Sequence, residues 1–122
     1  MNINLDYKSR VPIYEQIVNE VERYVALKIL KPLEQMPSIR DLACQLGINP
    51  NTVKKAYSIL EEKSVIQTIS TKGTFIADKV SKVVDNKIKD IEIKIADCVK
   101  ELENLGMSKS DILKELNKKG IL

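Results

Sequence analysis

The sequence predicts a mainly α chain with one small β-hairpin, and three observations carry that prediction. Apolar residues recur at three- and four-residue steps along most of its length, the spacing of amphipathic helices. Two short β-branched runs, Val65–Ile69 and Thr74–Ala77, flank the turn-forming Ser70-Thr71-Lys72-Gly73. Helix-start and helix-stop residues stand at the edges of the periodic stretches, notably Ser38 with Asp41, Gly47, and Asn49-Pro50.

Taken in order, the first helix begins at Val11-Pro12-Ile13, with proline in a tolerated first-turn position. Ile13, Ile17, Val21, Tyr24 and Val25 form its apolar face to about Leu30, where Lys31-Pro32 closes it. Residues 33–37 read as loop, and Met1 to Arg10 as an unassigned arm. Tyr14 reads either as an exposed contact or, more commonly for tyrosine, as a core residue with a bonded hydroxyl. Ser38 and Asp41 form a capping box ahead of the stripe Leu42, Ala43 and Leu46. Gly47 supplies the left-handed residue that ends this helix. Asn49 is an N-cap and Pro50 a first helical residue. Val53, Ala56, Tyr57 and Leu60 make the next apolar face, opposite Asn51, Thr52, Lys54, Lys55 and Ser58.

Two short helices joined by a glycine turn, the second polar at its tip and basic just beyond, form a helix-turn-helix. That unit lays its second helix in the DNA major groove. A hairpin placed after it is a wing, whose tip brings Lys72, small side chains and backbone N–H groups to phosphates or the minor groove. A hairpin that only covers the core fits the same residues. The fold class is thus a winged helix-turn-helix over residues 1–77.

These residues resemble the GntR-type winged-helix transcriptional regulators over Val11 to Ala77. The phrases that carry the resemblance are Val11-Pro12-Ile13-Tyr14-Glu15-Gln16-Ile17, Met36-Pro37-Ser38-Ile39-Arg40-Asp41-Leu42-Ala43, Gly47-Ile48-Asn49-Pro50-Asn51-Thr52-Val53, Ala56-Tyr57 and Gly73-Thr74-Phe75-Ile76. The opening phrase and short tail are similar to the YtrA subfamily. The resemblance implies DNA contacts by Arg40, Pro50, Asn51, Thr52 and Lys54, and by the wing at Ser70, Thr71, Lys72 and Gly73. It also implies a dimer that represses by occupying a promoter, often that of its own operon with transporter genes. The sequence departs from the family pattern by lacking the usual glycines near Pro32-Leu33, at Ser64 and at Thr71. Lys54 stands where arginine is frequent, a point donor in place of a planar fork.

The last third predicts a second region, residues 78–122. Val84, Ile88, Ile91, Ile95, Cys98, Leu102 and Leu105 alternate steps of four and three, a heptad seam surrounded by mixed charge. Gly106 ends that helix, and Ser108 with Asp111 caps a shorter one bearing Ile112, Leu113 and Leu116, which Gly120 ends. So regular a seam on a short chain reads as a homodimer interface, with packing back onto the first domain as the alternative. Asp78 to Val83 reads as a polar link and natural hinge between the two regions.

Composition narrows the classes. The 122 residues carry a formal charge of +3, which permits nucleic-acid binding. Residues 1–77 hold ten Lys and Arg against eight Asp and Glu, so the basic signal is local to Arg40, Lys54, Lys55 and Lys72. With no histidine, no paired carboxylates and no phosphate-binding glycine loop, the chain offers no catalytic site, metal site or cofactor site. Cys44 and Cys98 read as small buried hydrophobes in a reducing compartment. Absence of a secretory signal or membrane span points to a cytoplasmic protein. A protein-interaction adaptor is the alternative function, against which the basic helix tip argues. No effector can be named from the sequence.

Overall fold

A computed structural model describes all residues from Met1 to Leu122. The elements run α1 (Ile13–Ala26), α2 (Ile39–Leu46), α3 (Pro50–Glu62), β1 (Ile66–Ile69), β2 (Gly73–Ile76), α4 (Val80–Asn104) and α5 (Lys109–Lys118). They form two compact units, Met1–Asp85 and Asn86–Leu122.

The first unit is a winged helix-turn-helix built on one apolar cluster. Ile17, Val18, Val21 and Val25 of α1 meet Leu42 and Ala43 of α2 and Val53, Ala56, Tyr57 and Leu60 of α3. Ile66 and Ile76 close the cluster from the hairpin, and Ile3 from the arm ahead of α1. The helix starts follow the sequence logic. Ser38 Oγ accepts the Asp41 N–H at 3.0 Å, and Asn49 Oδ1 accepts the Asn51 N–H at 2.9 Å. Gly47 has φ 65°, which lets the Ile48 N–H return to the Ala43 carbonyl at 3.0 Å.

Several expectations are corrected. α1 ends at Ala26, not near Leu30, because Lys28 turns left-handed and folds the chain back so that Leu30 is buried. Residues 33–36 form the expected loop, but one that lies along the hairpin. They pair with β2 through Leu33 N–H to Ile76 C=O, Ile76 N–H to Glu34 C=O and Met36 N–H to Thr74 C=O, at 2.9, 2.8 and 2.8 Å. The loop thereby lines β2 of the two-stranded wing through one isolated bridge, Gln35 to Phe75. Asp78 to Val83 is not a free polar link either, since α4 starts at Val80, which is 1% exposed, and Val83 packs on the same core. Val84 packs there too, so this residue serves the first unit's core and does not head a free seam. Valines at one, four and five place one helical face inward, and periodicity alone cannot say which core receives it.

In the second unit α5 begins with Ser108 Oγ accepting the Asp111 N–H at 3.1 Å, and Ile112 is buried. Leu102 is half-buried, while Ile88, Ile91 and Ile95 are 48%, 44% and 58% exposed. Leu105 lies beyond the end of α4 and is 81% exposed. Both cysteines are exposed, contrary to expectation. Cys44 follows Ala43 by one residue, which rotates it about 100° off the buried stripe of α2. Cys98 lies on α4 where this chain supplies no cover.

Candidate nucleic-acid interface

The start of α3 presents a polar surface set by its cap. Asn49 turns its side chain onto the helix it caps, which leaves the amide of Asn51 free and exposed. Thr52 beside it is half-exposed, Lys54 is exposed, and Pro50 at the first helical position fixes the entry of the chain. The acids of α3, Glu61 and Glu62, lie in its last turn, away from this tip. The tip therefore carries amide, hydroxyl and ammonium groups with no carboxylate among them.

Two contacts hold this surface in place. Lys55 Nζ sits 4.0 Å from the centroid of the Tyr14 ring, a cation–π contact that joins the first turn of α1 to α3. Tyr14 is half-buried and acts as a platform. Tyr57, buried on the inner face, donates its hydroxyl proton to the Pro37 carbonyl at 2.7 Å. Burial pushes its phenol well above the usual range, so it stays a donor. This bond ties α3 to the residue that precedes the Ser38 cap, setting the two helices of the motif against each other. Arg40, in the first turn of α2, is exposed.

The wing pairs Ile66 with Ile76, Gln67 with Phe75, Thr68 with Thr74 and Ile69 with Gly73. Ser70, Thr71, Lys72 and Gly73 form its exposed tip, closed by Lys72 N–H to Ile69 C=O at 3.0 Å. Gln35 braces it from the loop along β2: it bridges to Phe75, and its Nε2 reaches the Lys72 carbonyl at 3.5 Å. A Cβ at Gly73, where φ is 114°, would meet that same Nε2 at 3.3 Å. Leu33, Ser64 and Thr71 have φ of 65°, 61° and 66°. At these positions the backbone takes the left-handed shape glycine favours while carrying a side chain.

Of the contact residues expected from the sequence, Arg40, Asn51, Lys54 and the wing tip are open to solvent and Thr52 is half-exposed. Sequence reasoning did not single out Gln35, whose partners lie on the hairpin about forty residues away, nor the contact between Tyr14 and Lys55. No group of His, Cys, Asp and Glu side chains can hold a metal ion, and no helix is long and apolar enough to cross a membrane.

Residues 13–76 match the bacterial regulatory proteins of the gntR family. The chain belongs to that family. It is 35% identical over 107 residues to the uncharacterized HTH-type transcriptional regulator YhcF of Bacillus subtilis, covering 88% of each chain. It is 34% identical over 106 residues to the HTH-type transcriptional repressor YtrA of Bacillus subtilis, covering 86% of this chain and 82% of that one. Among solved structures, a transcriptional regulator from Oenococcus oeni superposes with a TM-score of 0.73 at 35% identity, covering 93% of this chain and 95% of the other. YtrA from Sulfolobus acidocaldarius, a GntR-family transcription factor, gives 0.62 at 32%, covering 95% and 94%. Both cover the two-helix tail as well as the winged helix. As a GntR-family member, this chain is a DNA-binding transcriptional regulator and not an enzyme.

Proposed function

We propose that the chain is a cytoplasmic repressor that binds a two-fold operator as a homodimer. The observation that carries this reading is the tip of α3, where Asn51, Thr52 and Lys54 are turned outward from a helix whose cap is already made by Asn49. Asn51 and Thr52 have the amide and hydroxyl groups that read base edges in the major groove. Lys54, Lys55, Arg40 and the Ser70–Gly73 tip supply phosphate and minor-groove contacts around them.

Dimerisation enters through the line Ile88, Ile91, Ile95, continued by Cys98 and Leu102. Three isoleucines near half exposure on one helical line leave apolar surface that a second copy covers. Two copies of so small a basic surface also bind far better than one. The name of the Bacillus subtilis relative YtrA supports repression, and control of the chain's own operon with transporter genes follows from the subfamily resemblance. Footprinting of the purified chain on DNA upstream of its own gene tests this directly. A protected two-fold sequence overlapping the promoter is the expected result, and no protection in low salt refutes it.

A further inference from the structure

The loop between the arm and α1 is clasped by the side chain of Gln16. Gln16, half-buried in the second turn of α1, accepts the Asp6 N–H at 2.8 Å through Oε1. Its Nε2 donates to the Asp6 carbonyl at 2.9 Å and to the Val11 carbonyl at 2.8 Å. Within the loop so clasped, the Asp6 carboxylate accepts the Lys8 N–H at 3.0 Å and Ser9 Oγ accepts the Val11 N–H at 3.1 Å. Ile3 is buried and Leu5 packs on the core, which anchors the other side. Segments at a chain's edge are loose unless tied down, and this one is tied at every turn.

We propose that this loop is a third DNA-backbone contact, in which Gln16 positions Lys8 and Arg10 against phosphates flanking the site read by α3. Lys8 and Arg10 are exposed, while the loop's one acid is folded onto a backbone N–H. The loop's direction is given by Tyr14, one turn further on, whose ring lies under Lys55 of α3. The start of α1 therefore borders the basic side of the recognition helix, and Lys8 and Arg10 stand in the loop that leads directly into it. Phosphates are the fitting partner because two mobile cations on a fixed backbone place charge without reading bases. Holding the loop in advance lowers the ordering cost of that contact.

The inference rests on α3 lying in the groove, and the test separates the two. Affinity is measured against salt for the wild type, the Lys8→Ala/Arg10→Ala double variant, Gln16→Ala and, as a control at the far end of α1, Lys28→Ala. The probes are a duplex of about 40 base pairs from the chain's own upstream region and an unrelated duplex of equal length. The double variant should keep its thermal stability yet lower the slope of log affinity against log salt by about two per protomer on both duplexes. Gln16→Ala, with both charges intact, should lower the slope as well, and Lys28→Ala should not. Wild-type binding with an unchanged slope in the double variant overturns the arm contact alone. An unchanged slope in Gln16→Ala overturns the positioning role. Failure of the wild type to bind either duplex overturns the groove reading and this inference together.

Discussion

Ser64→Gly should stabilise this protein although it removes a side chain. Five helix ends share one hydrogen bond, from the N–H after a left-handed residue to the carbonyl five positions back: Ile29 to Tyr24, Ile48 to Ala43, Val65 to Leu60, Met107 to Leu102 and Ile121 to Leu116. The left-handed residue is Gly47, Gly106 or Gly120 in three of them, but Lys28 and Ser64 in the other two, each at φ 61°. An L-residue in that conformation costs about 1–2 kcal/mol. Glycine's greater freedom in the unfolded chain takes back about 0.4–1 kcal/mol. The net expectation is a gain of about 0.5–1 kcal/mol, or roughly 2–4 °C in Tm for a chain of this size. Ser64 is exposed, so little packing is lost. Urea unfolding at one fixed protein concentration measures it, because the proposed dimerisation would make stability concentration-dependent. Ser58→Gly, in the right-handed interior of α3, should instead lose about 0.5 kcal/mol. If Ser64→Gly lowers the urea midpoint, or both glycines shift it the same way, the left-handed cost is not what distinguishes these positions.

Other substitutions separate fold from function. Asn49→Ala should cost about 0.5–2 kcal/mol of stability by removing the α3 cap. Asn51→Ala should leave stability alone and cost on the order of 1–3 kcal/mol of operator affinity, an assignment that fails if footprinted DNA binds equally well. Ile91→Asp or Ile95→Asp would bury an unpaired charge in a dimer seam. Sedimentation should then show monomers with a folded winged helix, and a wild type that is itself monomeric at micromolar concentration would refute the seam. Tyr57→Phe strands the Pro37 carbonyl and should cost about 1–2 kcal/mol at neutral pH. In the unfolded chain this phenol ionises near its usual value of 10.0, while burial holds the proton on in the folded state. Wild-type stability should therefore be intact below that value and fall above it, so the gap to Tyr57→Phe stays constant up to about pH 9 and shrinks as the pH rises through 10 toward about 11. A gap that stays constant across that range refutes the buried-phenol argument.

What could be read from the sequence was what neighbours in sequence decide. Caps such as Ser38–Asp41 and Asn49–Asn51 span two or three residues, and the core faces of α2 and α3 follow from a fixed helical repeat. The pairing of residues 33–36 with β2 joins segments about forty positions apart, and nothing in Leu33-Glu34-Gln35-Met36 alternates enough to announce it. Lys28 hid the end of α1 because a lysine gives no sign of a left-handed turn. Cys44 and Cys98 were misjudged by composition, which favours burial of cysteine in general and says nothing of the 100° between adjacent side chains on a helix. Tyr14 could be read either as contact or core, and the cation above its ring makes it a support for the contact surface.

The distribution of unmet groups joins the fold to its function. The first unit buries no polar or charged residue, and no buried side-chain nitrogen or oxygen lacks a partner. Its folding therefore makes no demand on the exposed Asn51, Lys54 and Arg40 or the half-exposed Thr52, the residues proposed to meet DNA. Tyr57, Gln16, Gln35 and Tyr14 do the opposite work, each linking an element of the contact surface to the scaffold. In the second unit the unmet groups are apolar, with Ile88, Ile91 and Ile95 in solvent along one line of α4. Apolar area left in water favours association in proportion to its extent. The proposed dimer on two-fold DNA would cover both kinds of surface at once.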